Sequence, residues 1–354
     1  MTSKGAFILS PLGALYSAGV RARLALYKRG LLPTYQIAAP VLSVGNITVG
    51  GTGKTPLVAW LARRVRARYD KRVCILTRGY GRADERRRVL VSDGTRILAD
   101  AREGGDEPLL LAESLVGSAA VLSEADRLAA ALWAQENLHS ELFILDDGFQ
   151  HLRLERDLDI VTVDATNPFG GGRLLPRGRL REPLAGLKRA GLIVLTRADQ
   201  AQDIERLRGE LERLSGGRPL FCSRAKTRAL RPLGPTDGPI DADTLLPQPV
   251  AAFCAIGNPS AFFAHIRSDG HRLAHTRAFA DHHVYSQRDA EALGHQARSV
   301  GAQLLITTAK DAVKLAGLRF DLPCYVLEIE LELADEEGLL GLVDRAVRKR
   351  SSSA

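Results

Sequence analysis

The run SVGNITVGGTGKTPLVAW, residues 43–60, restricts the fold more tightly than any other stretch of this chain. An apolar segment, Val41–Ile47, enters a glycine-rich turn, and an amphipathic pattern leaves it from Pro56. Such a turn points its backbone N–H groups inward around phosphate oxygens, with a lysine reaching the outer phosphates and a hydroxyl available to Mg²⁺. Gly50, Gly51 and Gly53 permit the tight backbone, Lys54 brings the charge and Thr55 the hydroxyl. The strict pattern has a glycine where this chain has Thr48, so the turn must begin in a conformation that a β-branched residue can hold. The octet Thr48, Val49, Gly50, Gly51, Thr52, Gly53, Lys54 and Thr55 is therefore expected to bind a nucleoside triphosphate, ATP, together with Mg²⁺.

Further strand-like runs alternate with helical patterns: Arg72–Thr77, Ala119–Leu122, Leu142–Leu145, Asp159–Val163 and Gly191–Thr196. Continuous apolar runs suit strands of a parallel sheet covered on both faces. Leu57, Leu61 and Val65 repeat at helical spacing, with arginines largely on the other side. The run Ser123-Glu-Ala-Asp126 reads as a capping box opening a helix through Trp133. The expected fold is α/β: a P-loop NTPase-like α/β/α sandwich with a second, smaller α/β domain. Residues 230–249 hold five of the sixteen prolines and read as a linker. The expected division is an N-terminal helical segment 1–35, a core domain 36–229, the linker, and a C-terminal domain 250–354. The latter is suggested by Val250–Ile256, Gln303–Thr307 and Cys324–Leu331, with Thr308 opening a short helix and the tail from Ala346 frayed.

Composition, 45% hydrophobic and 25% charged, is that of a globular protein. Four scattered cysteines without a Cys-x-x-Cys pair favour reduced, buried thiols over disulfides or a zinc site. A formal charge of +8 calls for anionic partners, and the chain carries no nucleic-acid-binding signature, so phosphates of another kind are expected. Gly5–Val20 is mostly apolar and is followed at once by Arg21, Arg23, Lys28 and Arg29. Broken by Pro11, this run falls short of the roughly 20 residues a membrane-spanning helix needs. A signal peptide, a helix on the protein's own core and an interfacial helix on an anionic leaflet are the readings. The third also accounts for the charge.

The second chemical motif is LFILDDGFQH, residues 142–151, where a buried strand delivers Asp146 and Asp147 to the expected metal site. Asp106, in GGDEP, sits between a flexible turn and a helix start near Pro108 and reads on spacing as a helix N-cap. The run DHHVY, 281–285, is either a surface loop or an Asp–His pair that orients a proton-transfer histidine. Residues 173–181 hold four arginines and no lysine, which suits bidentate phosphate recognition better than simple solvation. Thr77-Arg-Gly-Tyr-Gly-Arg82 repeats the theme at a strand end.

Taken in order, SVGNITVGGTGKTP, LTRGYGR, GGDEP, SEADR, ILDDGFQH, LLPRGRLREPL, AIGNP, DHHVY and TTAKDAVKL resemble the tetraacyldisaccharide 4'-kinase family of lipid A biosynthesis. These motifs span positions 43 to 315, and Thr48 looks like that family's own form of the loop. The resemblance implies transfer of the ATP γ-phosphate to the 4'-hydroxyl of a tetraacylated disaccharide 1-phosphate lipid. It implies a peripheral enzyme at the cytoplasmic face of a Gram-negative inner membrane, with an anionic membrane surface but neither nucleic acid nor an obligate protein as partner. By motif, Lys54 and Thr55 serve triphosphate and Mg²⁺, and Asp146 and Asp147 serve the metal and its surroundings. Asp106 becomes the base, assisted by His282, with adjacent His283 left open. Arg78, Arg127, Gln150, Arg181 and Glu182 fall on the substrate side. With Asp106 and His282 in different domains, closure is expected to complete the site and exclude water. The competing readings are a P-loop switch ATPase or GTPase, and a kinase of a soluble sugar.

Overall fold

The computed structural model describes residues 3–234, 238–245 and 248–352; the side chains of residues 3–12, 243 and 351 lie outside the description. Two compact units emerge: Met1–Arg224 with Leu333–Ala354, and Ala225–Glu332.

The first unit is built on strands β1 (Val41–Gly45), β2 (Val73–Thr77), β3 (Val89–Ser92), β4 (Ala119–Ser123), β5 (Leu142–Asp146), β6 (Leu158–Asp164), β7 (Leu192–Thr196) and the start of β8 (Leu220–Pro232). Their order is β8-β7-β6-β1-β5-β2-β4-β3, and only the β3–β4 pairing is antiparallel. Its helices are α1 (Ser3–Lys28), α2 (Lys54–Tyr69), α3 (Ala101–Gly104), α4 (Asp106–Ser114), α5 (Arg127–Asn137) and α6 (Ile204–Ser215). Every residue of β1, β2, β4, β5 and β7 is buried, as doubly covered parallel strands require. Leu57, Leu61 and Val65 put the apolar stripe of α2 into the interior, while Phe143 and Leu145 of β5 pack with Ala130, Ala131 and Ala134 of α5. Because β1 lies between β5 and β6, the chain leaves its carboxyl end beside strands that arrive from opposite sides of the sheet. That crevice is where ligands of open α/β sheets bind.

The second unit contains β9 (Val250–Cys254), β10 (Leu273–Ala278), β11 (Leu304–Thr308) and β12 (Cys324–Leu333), ordered β10-β9-β11-β12 and all parallel. Helices α7 (Pro259–Ser268), α8 (Gln287–Ser299) and α9 (Ala309–Ala312) connect them. The chain then returns to the first unit as α10 (Glu336–Ser351). Arg68 reaches Asp344 at 2.8 Å, Tyr69 also donates to Asp344, and Arg64 meets Glu336 at 2.8 Å. Arg350, 5% exposed, pairs with Asp157 at 2.7 Å.

Several expectations need correction. The compact units break within β8 and β12, not at the proline-rich stretch. Leu230, Ile240 and Leu245 of that stretch pack into the second unit's core, so it is no free linker. Residues 235–237 and 246–247 of it lie outside the described residues. The tail from Ala346 is helical through Ser351, since the Arg350–Asp157 pair fixes its last turn, while residues 353–354 lie outside the description. Helix α1 continues through Pro11 instead of breaking there. The cap of α5 is Asp126, whose side chain accepts from Leu128 and Ala129 N–H, because Ser123 is still in β4. Cys74, Cys254 and Cys324 are buried thiols, whereas Cys222 is only half-buried.

Candidate active site

The phosphate loop forms where β1 ends, and its leading limb answers the question raised by Thr48. Val49 N–H donates to Arg179 O at 2.7 Å and Arg181 N–H donates to Ile47 O at 2.8 Å, with Thr48 bridged antiparallel to Leu180 between them. Thr48 is thus in extended, paired backbone, which a β-branched residue favours, and its side chain is 5% exposed. The left-handed turn comes later, at Gly53 (φ 77°), directly before α2. Thr52 anchors the loop from inside: its hydroxyl meets Asn46 Nδ2 and Thr162 Oγ1, both at 2.8 Å, and its carbonyl accepts from Thr196 at 3.0 Å. Arg197 adds a bond to Gly51 O at 3.1 Å while paired with Asp164 at 2.5 Å. Lys54 and Thr55 open α2.

Asp146 ends β5, in register with Val44 of β1. It is 3% exposed, and burial, aided by the charges of Glu107 and Asp147, pushes its carboxyl up to about 7 against the pull of Lys54 and Arg127. Its neighbour behaves oppositely. Burial would raise Asp147, but Lys54 Nζ at 3.3 Å and Arg181 Nη1 at 2.6 Å outweigh it and hold the carboxyl down to about 2. Asp147 takes a left-handed backbone (φ 54°). That turn is how adjacent carboxylates come to face different partners.

Around this pair, Arg127 is 3% exposed, donates to Glu124 O and Ala125 O, and is pulled down to about 10 by burial. Gln150 Nε2 bridges Asn46 O at 2.9 Å and Glu182 Oε1 at 2.7 Å. Glu182, 1% exposed, also accepts from Arg189 at 2.6 Å, so it braces the loop from behind. Arg78 is exposed and lies over the Tyr80 ring at 4.8 Å, its Nη1 3.0 Å from the Tyr80 hydroxyl. Asp106 is the first residue of α4, and the cap position belongs to Gly105. Arg197 and Glu107 bear on the site but escaped sequence reasoning, and Arg179 was singled out there only as one of a run. The arginine run contained a signal for Arg179, whereas Arg197 and Glu107 become neighbours only through folding.

In the second unit, three of the sequence motifs converge on one side chain. Asp311, wholly buried, accepts from Ala255 N–H at 3.1 Å, Tyr285 OH at 3.0 Å and Thr308 Oγ1 at 2.6 Å. Burial and the Asp311 charge push the Tyr285 phenol upward, which keeps it a donor. This frame carries the two histidines differently. His283 is stacked on Phe279 at 4.6 Å, lies edge-on to Tyr285, and faces Asp289 at 3.3 Å. His282 has a left-handed backbone (φ 62°), a half-exposed ring, and Lys310 Nζ 3.5 Å from its Nε2.

Mg²⁺ fits the residues present. Asp146 is a buried oxygen donor whose ionised form a cation would favour, and Thr55 supplies a hydroxyl at the same loop. Among the described residues no group of three or more His, Cys, Asp or Glu side chains could hold a metal.

The profile of the tetraacyldisaccharide-1-P 4'-kinase family matches residues 5–348. The tetraacyldisaccharide 4'-kinase of Geobacter metallireducens is 42% identical over 341 residues, 96% of this chain and 98% of that relative. Its counterpart in Geobacter sulfurreducens is 42% identical over 352 residues, 97% of this chain and 94% of the relative. Among solved structures, LpxK from Aquifex aeolicus in complex with ATP superposes with a TM-score of 0.77 at 34% identity, covering 97% of this chain and 99% of that one.

Proposed function

The chain belongs to the tetraacyldisaccharide-1-P 4'-kinase family, and from that premise we propose how its own residues divide the reaction. It is an ATP-dependent kinase of lipid A biosynthesis that phosphorylates the 4'-hydroxyl of tetraacyldisaccharide 1-phosphate. The observation that carries the division of labour is the Lys54–Asp147–Arg181 cluster beside buried Asp146, at the carboxyl ends of β1 and β5.

Phosphoryl transfer needs positioning and charge neutralisation more than covalent help from the protein. The loop amides from Gly50 to Thr55 hold the phosphates, and Lys54 leaves Asp147 for the β- and γ-phosphate oxygens. Asp147, still held by Arg181, remains ionised and marks where Lys54 returns. Thr55 and Asp146 would hold Mg²⁺, which supplies neutralisation of the β- and γ-oxygens when bound. Asp106 takes the acceptor hydroxyl proton, and His282 assists it. The packing of His283 against Phe279, Tyr285 and Asp289 supports His282 over its neighbour for that task. Arg78 and Arg127 serve the substrate side, with Gln150 between Arg181 and Asn46 and Glu182 holding Gln150 and Arg189 behind it.

The chain acts at an anionic membrane surface, at the cytoplasmic face of the inner membrane and without an obligate protein partner. Helix α1 and its exit support this, with Leu15 71% and Leu31 65% exposed next to exposed Arg21, Arg23, Lys28 and Arg29. Among the described residues no helix is long and apolar enough to cross a membrane.

The test follows label from γ-labelled ATP into the tetraacylated lipid in mixed micelles, with a soluble glucosamine disaccharide as competitor. The expected result is label in the lipid, with Asp106→Ala slower by about 10³-fold. Near-native turnover of Asp106→Ala would remove it as base, and label in the soluble sugar would remove the lipid surface from the account.

A further inference from the structure

We propose that Arg179 is this kinase's own arginine finger, donating to the γ-phosphoryl group during transfer. The inference rests on the kinase reading above and adds a residue to it. Its backbone is locked to the phosphate loop: its carbonyl accepts from Val49 N–H at 2.7 Å, and the next two residues continue the antiparallel pairing with Thr48 and Ile47. Its side chain turns back along the same limb. Nε donates to Val49 O at 3.1 Å, and the guanidinium lies so close to Gly50 that a Cβ added there would collide with Nη2. Gly50 has φ +112°, so its lack of a side chain serves both the turn and the approach of the arginine.

The direction of the loop gives this placement its chemistry. The amides at the start of α2 take the inner phosphates, and Lys54, from the same end, reaches the β- and γ-phosphates. The opposite rim, Val49–Gly51, therefore borders the outermost phosphate, and that is the rim on which the Arg179 fork rests. Arg181, two residues on, points instead to Asp147 at 2.6 Å, so the two arginines divide their work. Arg181 steadies the carboxylate that holds Lys54, and Arg179 faces the group in flight.

In the transfer, the acceptor oxygen forms a bond to the γ-phosphorus as the bond from that phosphorus to the β-phosphate oxygen breaks. The electron pair of the broken bond stays on that oxygen of ADP, and the hydroxyl proton goes to the Asp106 carboxylate. Arg179 forms no covalent bond and keeps its protons. It donates hydrogen bonds to γ-oxygens whose charge is redistributed in the transition state, where an arginine finger contributes about 10³–10⁵ in kcat.

The experiment compares the full-length chain with Arg179→Ala and Arg179→Lys on lipid acceptor in mixed micelles, recording kcat and, by calorimetry, ATP affinity. Arg179→Ala is expected to lose about 10³-fold in kcat with ATP affinity within about threefold of the parent. Arg179→Lys, with charge but no fork, falls between them, and added guanidinium ion restores part of the activity of the alanine variant. A bracing role alone would lower ATP affinity as far as kcat and leave guanidinium without effect. That outcome, or kcat within a few-fold of the parent, overturns the proposal. Failure of the kinase reading is distinct, because the parent chain itself would then put no label into lipid.

Discussion

The nucleotide corner of the first unit and the His282 corner of the second are both built on buried aspartates, but they use them in opposite ways. Around β1 and β5, burial is left partly uncompensated: Asp146 is raised to about 7, while its neighbour is held at about 2 by two cations. In the second unit the buried carboxylate, Asp311, is satisfied by backbone, phenol and hydroxyl donors, and His282 stands outside it, half-exposed. One corner keeps electrostatic stress for a ligand to relieve; the other uses its carboxylate as a frame. Burial of an acid alone therefore does not signal chemistry; a carboxyl strongly displaced from its ordinary value, in either direction, is the better pointer.

Three changes would sharpen or break this contrast. The largest effect is expected at Lys54. Lys54→Ala should cost about 10³-fold in kcat, since it removes the charge aimed at the transferring group. A loss under tenfold, by steady-state transfer assay, would mean that the stress at β5 is not functional. Next comes the frame. Asp311→Ala leaves Ala255 N–H, Tyr285 OH and Thr308 without their acceptor, and should destabilise the second unit by about 3 kcal/mol in urea unfolding. An unfolding curve matching the parent would deny Asp311 its structural role.

The smallest effect tests the stress directly through its sign. A carboxyl raised from its usual value to about 7 binds more protons folded than unfolded between about pH 4 and 7, so stability falls as pH rises across that window. Above it the whole penalty of a buried charge is present. Asp146→Asn should then melt a few degrees higher than the parent at pH 8, although it is inactive, and the gap should close towards pH 5. A lower melting temperature at pH 8 would show that Lys54 and Arg127 already compensate the charge.

The sequence legibility of the two corners differs for the same physical reason. The strands that carry the nucleotide site are continuous apolar runs, and the observed β1, β2, β4, β5, β6 and β7 fall within one or two residues of the expected bounds. The strands that escaped are β3, β8 and β10. Short, antiparallel β3 lies at the sheet edge, β10 has no buried residue, and β8 is interrupted by the polar residues Ser223, Arg224, Lys226 and Thr227. Helix α10 escaped, its end reading as a frayed tail, because Arg64, Arg68 and Tyr69 lie far in sequence from the Glu336 and Asp344 that they hold. Thr48 read as an exception to a motif and became intelligible only once its pairing with Leu180 was visible. His282 and His283 were indistinguishable in the run DHHVY, since nothing local says which ring Phe279 and Asp289 will occupy.

The most direct test of the contrast separates binding from transfer in one variant. Calorimetry of ATP with Mg²⁺, followed by the lipid transfer assay, would be run on His282→Ala with His283→Ala beside it. The account predicts that His282→Ala binds ATP as the parent does but transfers its phosphate about 10²-fold more slowly. His283→Ala should keep transfer within a few-fold and lose about 1 kcal/mol of stability from its lost ring contacts. Parent-like transfer by His282→Ala, or loss of its ATP affinity, would contradict the division between a corner that holds the nucleotide and one that helps activate the acceptor.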